Sequence, residues 1–282
     1  MNSSDRPFEK RSRTLSFEDF FYSLSLQFRH RWLWIKSNQL DETIENIIKP
    51  VEGARRLFPT LLKRFKYIDY SHSQRNLRAI AHQIKDVWKC DKTKTVIMSI
   101  RKQVNNHPDG SSKMAYDLLR VLGDWNGHLI IDPFDENYAK LSKGYSVILC
   151  DDFIGSGSTI DNRIKAIKDM IAPQAKLYIV ALAAMSEARD LYLNRSGSMY
   201  YSPVWLEKGI TEKKKTQIML RMESLLASKH KDQVLSNCSL GYGKAGSLYF
   251  NEEYRIPNNV YPIFWWGKYV DGRDFNSLFL RP

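Results

Sequence analysis

The sequence predicts an α/β protein: a parallel-sheet core with an N-terminal helical extension and a C-terminal mixed, aromatic-rich extension. Three observations predict it. Between Lys94 and Arg189, short β-branched apolar runs alternate with helical periods across short connections, the pattern of a parallel sheet covered on both faces. Before Cys90 the apolar positions recur at helical spacing, and after residue 190 large aromatics and prolines crowd a stretch of little periodicity. At 282 residues the chain is long enough for one sizeable α/β domain and its additions. The expected division is a basic helical extension (1–90), a core (91–190) and a helical and aromatic extension (191–282) serving as a hood or a partner-binding part.

Taken in order, Ser16 and Asp19 resemble a capping box, with Asp in place of Glu, opening a helical stretch FEDFFYSLSLQFRHRWLW. The next segment, LDETIENIIKPVEGARRLFPTLLKRF, is expected to break at Pro50 and Pro59, and Leu77, Ile80, Ile84 and Val87 mark a further helix. Aromatics interleaved with Arg and Lys suit phosphate contact with base stacking. Helices of this kind more commonly bury their aromatics and turn the cations outward, and that is the expectation here. Thr95–Ile100 reads as a buried strand, followed by a loop from Arg101 and a helix from about Ser112 to Trp125. His128–Ile131 is a second strand, Val147–Cys150 a third, Asp161–Ile171 a helix and Leu177–Ala183 a fourth strand. Beyond them, Thr211–Lys229 reads as helix. The tail, NEEYRIPNNVYPIFWWGKYVDGRDFNSLFLRP, reads as packed irregular structure, because so many rings are costly to leave in water.

The chemistry concentrates between Val147 and Thr159. Four apolar residues form a buried strand whose C-terminal end lies where open parallel sheets bind ligands. Asp151 and Asp152 follow, then Phe153 and Ile154, then Gly155, Ser156, Gly157, Ser158 and Thr159 directly before a helix. Glycine and serine let the backbone approach a phosphate, and successive N–H groups with the helix N-terminus supply positive potential to it. The hydroxyls of Ser156, Ser158 and Thr159 add donors, while the two carboxylates can accept from the 2′- and 3′-hydroxyls of a ribose.

This segment resembles the loop with which type I phosphoribosyltransferases bind phosphoribosyl pyrophosphate (PRPP). It has their four hydrophobics, two acids, two hydrophobics and small-residue phosphate loop ending in Thr; Phe153 is larger than usual and Gly155 is unusual. The resemblance implies a type I phosphoribosyltransferase-like core in which Asp151 and Asp152 are the catalytic pair and Gly155 to Thr159 bind the phosphoribosyl group. It further implies reaction at ribose C1′ with Mg2+ held mainly by the substrate's own oxygens, near Asp151 and Asp152, and with no other direct protein ligand. The pyrophosphate-stabilising loop would fall at Arg101 to Ser112, with Arg101, Lys102, Gly110, Ser111, Ser112 and Lys113 as its candidates. A plain surface turn through Asn105-Asn106 and Pro108-Asp109-Gly110 is the other reading of that stretch. Purine-salvage members carry at the position of Gly155 an Asp that handles a proton of the base, so hypoxanthine–guanine salvage is not expected. More loosely, DDFIGSGST together with PNNVYPIFWW and the terminal Phe-Leu-Arg-Pro is similar to phosphoribosyltransferase-like proteins of bacterial conflict systems, including retron-linked effectors. That likeness implies an anti-phage role and partners such as a reverse transcriptase with its RNA–DNA complex.

Composition bounds the remainder. A net charge of +12 favours anionic partners, nucleotides or nucleic acid, against the alternative of a solvated basic surface. No apolar run approaches the roughly 20 residues a bilayer needs, and the polar N-terminus has no signal-peptide core, so a cytoplasmic chain without membrane contact is expected. Cys90, Cys150 and Cys238 form no CxxC pair, and the six histidines form no HxxxH or HExxH spacing, which speaks against a zinc site. Function classes left open are an enzyme of phosphoribosyltransferase or nucleotide glycosyl hydrolase type, and a non-catalytic module sensing PRPP or a nucleotide while holding nucleic acid or a partner protein. A nucleic-acid-binding protein with a vestigial ribose site is the third.

Overall fold

A computed structural model describes residues 15–100, 110–125, 130–131, 143–167, 171–189, 198–231 and 233–279. In helix α1 (Phe17–Arg29) the Ser16 hydroxyl accepts from the Asp19 N–H at 3.2 Å, as the capping box predicts, and itself donates to the Asp19 carboxylate at 2.5 Å, where a full box would have that carboxylate accept from the Ser16 N–H. A 3₁₀ turn (Arg31–Lys36), α2 (Ser37–Thr43) and a π-helical turn (Ile44–Ile48) lead to α3 (Ala54–Arg64). The break expected at Pro59 does not occur. Proline cannot donate to the carbonyl four residues back, that of Arg55, and the Tyr22 hydroxyl donates to that oxygen instead at 2.9 Å. A short strand β1 (Lys66–Ile68), which periodicity did not reveal, precedes α4 (Tyr70–His82).

The core sheet follows: β2 (Thr95–Ser99), α5 (Gly110–Leu122), β3 (Ile130–Ile131), β4 (Ser146–Ile154), α6 (Ser158–Ile167), β5 (Leu177–Met185), β6 (Met199–Tyr201) and β7 (Trp205–Leu206). All pairings are parallel, in the order β3-β2-β4-β5-β6, with β7 beside the end of β5. Boundaries correct the sequence reading in three places. β4 runs through Asp151 and Asp152 to Ile154, because β5 extends to Met185 and pairs with it to the end. Helix α5 starts at Gly110, so Gly110, Ser111 and Ser112 form a first helical turn instead of a loop. Helix α6 starts at Ser158, three residues early.

The C-terminal part holds α7 (Lys213–Glu223), a hairpin of β8 (Lys229–His230) and β9 (Gln233–Val234), α8 (Leu235–Cys238) and β10 (Tyr249–Asn251). Helix α7 stops short of the expected Lys229 because the following backbone pairs elsewhere: Ala227 N–H donates to Lys268 O at 3.0 Å and Val270 N–H to Leu225 O at 2.9 Å. Strand β10 pairs parallel with β1, joining the two ends of the chain. A first apolar core lies about the sheet. A second is built jointly by Leu26, Phe58 and Leu61 of the front and Tyr261, Phe264, Trp265 and Trp266 of the tail. Trp265 and Trp266 are 1% and 0% exposed, so they fill that core.

Helix α1 overturns one expectation. Its four phenylalanines face outward, with Phe17 79% and Phe28 69% exposed, while Asp19, Ser23 and Gln27 are buried beside Leu26 and Tyr22 turns in to bond Arg55. The cause is polar satisfaction: Asp19 pairs with Lys49 and Arg55, Ser23 donates to Asp41, and Gln27 donates to Ser23.

Candidate functional site

The site forms where β4, the central strand, ends. Ligands of open parallel sheets lie outside the carboxyl ends of the strands. After Ile154 the chain bends through Gly155, Ser156 and Gly157 into α6. Gly157 has φ +77°, a left-handed conformation that a side chain would strain. Its carbonyl accepts the first helical bond, from Asp161 N–H at 3.0 Å. The hydroxyls of Ser156 and Ser158 lie 3.1 Å apart, beside the positive end of the helix. The turn's backbone N–H groups, hydroxyls and helix end are chemically able to cradle a phosphate dianion.

Two adjoining clefts open at this point. The first, of about 290 Å³, is lined by Asp151, Gly155, Ser156, Gly157 and Thr159, and across from them by Tyr242, Asn258 and Asn259. The second, of about 300 Å³, is lined by Asp151, Asp152, Gly110, Ser111 and Thr159, with Arg255 on the C-terminal side. Both aspartates are half-buried, and as neighbours on one strand they project in opposite directions. A Cβ added at Gly110 would lie 2.4 Å from the Asp152 carboxylate oxygens, so that carboxylate packs over the first turn of α5, whose N-terminal end favours negative charge.

The C-terminal segment roofs the site through named bonds. Asn259 donates from Nδ2 to Tyr242 O at 2.9 Å and fills the space over Gly155, where a Cβ would come within 2.1 Å of that nitrogen. The unusual glycine of the loop is therefore a matter of room for Asn259. Tyr254 donates to Asp117 of α5 at 2.9 Å, and Lys113 pairs with the same carboxylate at 2.6 Å. Burial, then the charge of Asp117, then its hydrogen bond and the charge of Asp152 push the Tyr254 phenol far above its ordinary value, so it remains a neutral donor. Burial, and secondarily Asp151, raises the Cys150 thiol as well, which makes it an inert core residue.

The predicted residues thus sort cleanly. Asp151, Asp152, Gly155, Ser156, Gly157 and Thr159 meet at the clefts, and Ser158 stands exposed at the start of α6. Gly110 and Ser111 join them, whereas the Ser112 hydroxyl lies 3.5 Å from that of Ser99. Arg101 and Lys102 lie outside the described residues. Sequence reasoning missed Tyr242, Arg255, Asn258 and Asn259 as site residues. The Pro257-Asn258-Asn259 turn, a polar break amid aromatics, was their available signal. Among the described residues no three His, Cys, Asp or Glu side chains converge as a metal site, and no disulfide joins the cysteines. Among them, too, no helix is long and apolar enough to cross a membrane.

A parallel sheet with this strand order, two acids at the end of its central strand and a phosphate-type turn into a helix defines a phosphoribosyltransferase-like protein of type I. The family model described as PRTase-CE matches residues 44–281, and the chain belongs to that family. Similar solved structures include a hypothetical protein from Neisseria gonorrhoeae with bound ppGpp, 16% identical over 51% of this chain and 85% of its own, with a TM-score of 0.37. A hypoxanthine-guanine phosphoribosyltransferase from Bacillus anthracis is 21% identical over 50% of this chain and 81% of its own, at 0.36. The hypoxanthine phosphoribosyltransferase of Trypanosoma cruzi is 18% identical over 48% and 77%, also at 0.36. No curated protein matches the chain.

Proposed function

We propose that the chain binds PRPP, or a related ribose 5-phosphate nucleotide, and acts at ribose C1′ by transfer or hydrolysis. The observation that carries this reading is the convergence on adjoining clefts of the phosphate-type turn Gly155–Thr159 and the acid pair Asp151 and Asp152. The 5′-phosphate would sit at the turn against the N-terminus of α6, and the ribose hydroxyls would donate to the carboxylates. Arg255, Gly110 and Ser111 line the second cleft beyond the acids, and Arg255 is the cation placed to meet a leaving pyrophosphate or phosphate. Asp151 and Asp152 could hold, through its water shell, a Mg2+ carried on the substrate's oxygens, and such an ion would supply charge neutralisation for the departing phosphates. Asn259 over Gly155 leaves no carboxylate where a purine-salvage enzyme handles a proton of its base, which supports an acceptor other than hypoxanthine or guanine.

The context that fits this reading is a cytoplasmic anti-phage effector of the retron type, in which a reverse transcriptase and its RNA–DNA complex hold the chain as partner. The DDFIGSGST and PNNVYPIFWW stretches and the terminal Phe-Leu-Arg-Pro support it. Phosphorus NMR of the purified chain with Mg2+ and PRPP, NAD, ATP or deoxynucleotides tests the chemistry. Consumption of one compound by wild type and not by Asp151→Asn/Asp152→Asn is the expected result. Equal consumption by both sets the proposal aside, and line broadening by wild type without turnover replaces transfer by sensing.

A further inference from the structure

Helix α1 is inverted relative to an ordinary amphipathic helix, and this stands independently of the proposed reaction. Phe17, Phe20, Phe21, Leu24 and Phe28 recur at i, i+3, i+4, i+7 and i+11, one continuous outer stripe. The four phenylalanines are 79, 52, 51 and 69% exposed, and Trp34, 47% exposed, extends the stripe edge-on from Phe28 at 5.4 Å. The helix cannot roll to hide them, because its opposite face packs Leu26 into the core and holds Asp19 to Lys49 and Arg55, Ser23 to Asp41 and Gln27 to Ser23. Rolling would strip a buried carboxylate of its two cations.

We infer that this stripe is the dimer interface of the chain, with α1 of a second copy packed antiparallel across a two-fold axis near Leu24. The area suffices: aromatic side chains bury about 150–250 Å² each, so these five rings offer on the order of 600 Å², close to the roughly 800 Å² each partner gives to a standard interface. The stripe is also complementary to itself. With the axis at Leu24, Phe20 and Phe21 of one copy meet Phe28 of the other, and Phe17 reaches the turn just past the mate's α1, where Arg31 offers a cation for its ring face. Glu18 at the N-terminal end of the helix, paired with Arg55 at 2.6 Å and with its side chain still 82% exposed, then faces exposed Arg29 at the C-terminal end of its mate and Arg31 just beyond it. Antiparallel packing further sets each helix's positive end beside the other's negative end.

Sedimentation of the full chain tests this beside Phe20→Glu/Phe28→Glu, whose exposed positions leave the fold intact by circular dichroism. Wild type is expected to be dimeric, and the double variant to dimerise at least about a hundredfold more weakly. The register has its own readout. Under air oxidation Leu24→Cys should link two copies, whereas Phe17→Cys should not, since its mate lies about 20 Å along the helix axis, beyond disulfide reach. A wild type that stays monomeric at its solubility limit overturns the inference, whether or not it pellets with anionic vesicles. So does a dimer indifferent to the two glutamates, or cross-linking at position 17 in place of 24.

Discussion

At the scale of single residues, the site rests on close approaches that leave no room for a methyl group. Gly155 has no need of a left-handed backbone; it is small because Asn259 occupies the space its Cβ would take. Gly155→Ala is therefore expected to cost about 1–3 kcal/mol of stability, the range for overpacking, and to weaken ribose-phosphate binding by displacing Asn259 from Tyr242. Thermal unfolding and titration calorimetry measure both. The pair should be non-additive: Gly155→Ala added to Asn259→Ala should cost less than Gly155→Ala alone, and equal costs would contradict the steric account. The acids, the small residues and the following helix were legible in the sequence because their chemistry is local. Asn259, Arg255 and Tyr242 were not, because they reach the cleft from a distant segment whose aromatics dominate its pattern.

At the scale of elements, the roof over the site is held by two polar anchors. One is Tyr254 bonded to Asp117 of α5; Tyr254→Phe leaves an acceptor short of its donor and should cost about 1 kcal/mol, read by urea unfolding. The other is Glu223 at the end of α7, whose carboxylate accepts from the Ser239 hydroxyl at 2.7 Å and from Leu240 N–H at 3.0 Å. Burial pushes its pKa up to about 7, outweighing the lowering effect of those two bonds. The folded state thus binds this proton more tightly than the unfolded chain. Its contribution to stability is fully present below the ordinary carboxyl pKa and is lost as pH rises through about 7. Glu223→Gln should flatten the fall in unfolding free energy between about pH 5 and pH 8, and an unchanged pH profile would show that the carboxyl is ionised throughout. Strands and helices of the core were legible as types; their ends were not. β4 is long because β5 pairs with it to Ile154, and α3 survives Pro59 because Tyr22 takes the orphaned carbonyl of Arg55. The direction of α1 was misread because periodicity cannot tell an apolar face turned inward from one turned outward when the polar face finds buried partners.

At the scale of the whole molecule, the two ends of the chain behave as one body. Phe279 stacks on Trp32 and Phe65 from the front and on Phe250 of β10, and β10 pairs with β1. Phe279→Ala should cost about 3–5 kcal/mol, and urea unfolding followed at the front and at the sheet should show whether the two cores melt together. That joint core could not be read from the sequence, since its halves are some two hundred residues apart and each, taken alone, reads as an appendage. The measurement that bears most directly on the central claim is calorimetric titration of the chain with PRPP and Mg2+, repeated on Asp151→Asn/Asp152→Asn and on Thr159→Val. The account predicts binding by wild type, a loss of about tenfold for Thr159→Val from one hydrogen bond to a charged phosphate, and no measurable binding by the double variant. Equal affinity in all three proteins would mean that the turn and the acid pair at the end of β4 do not hold the phosphoribosyl group.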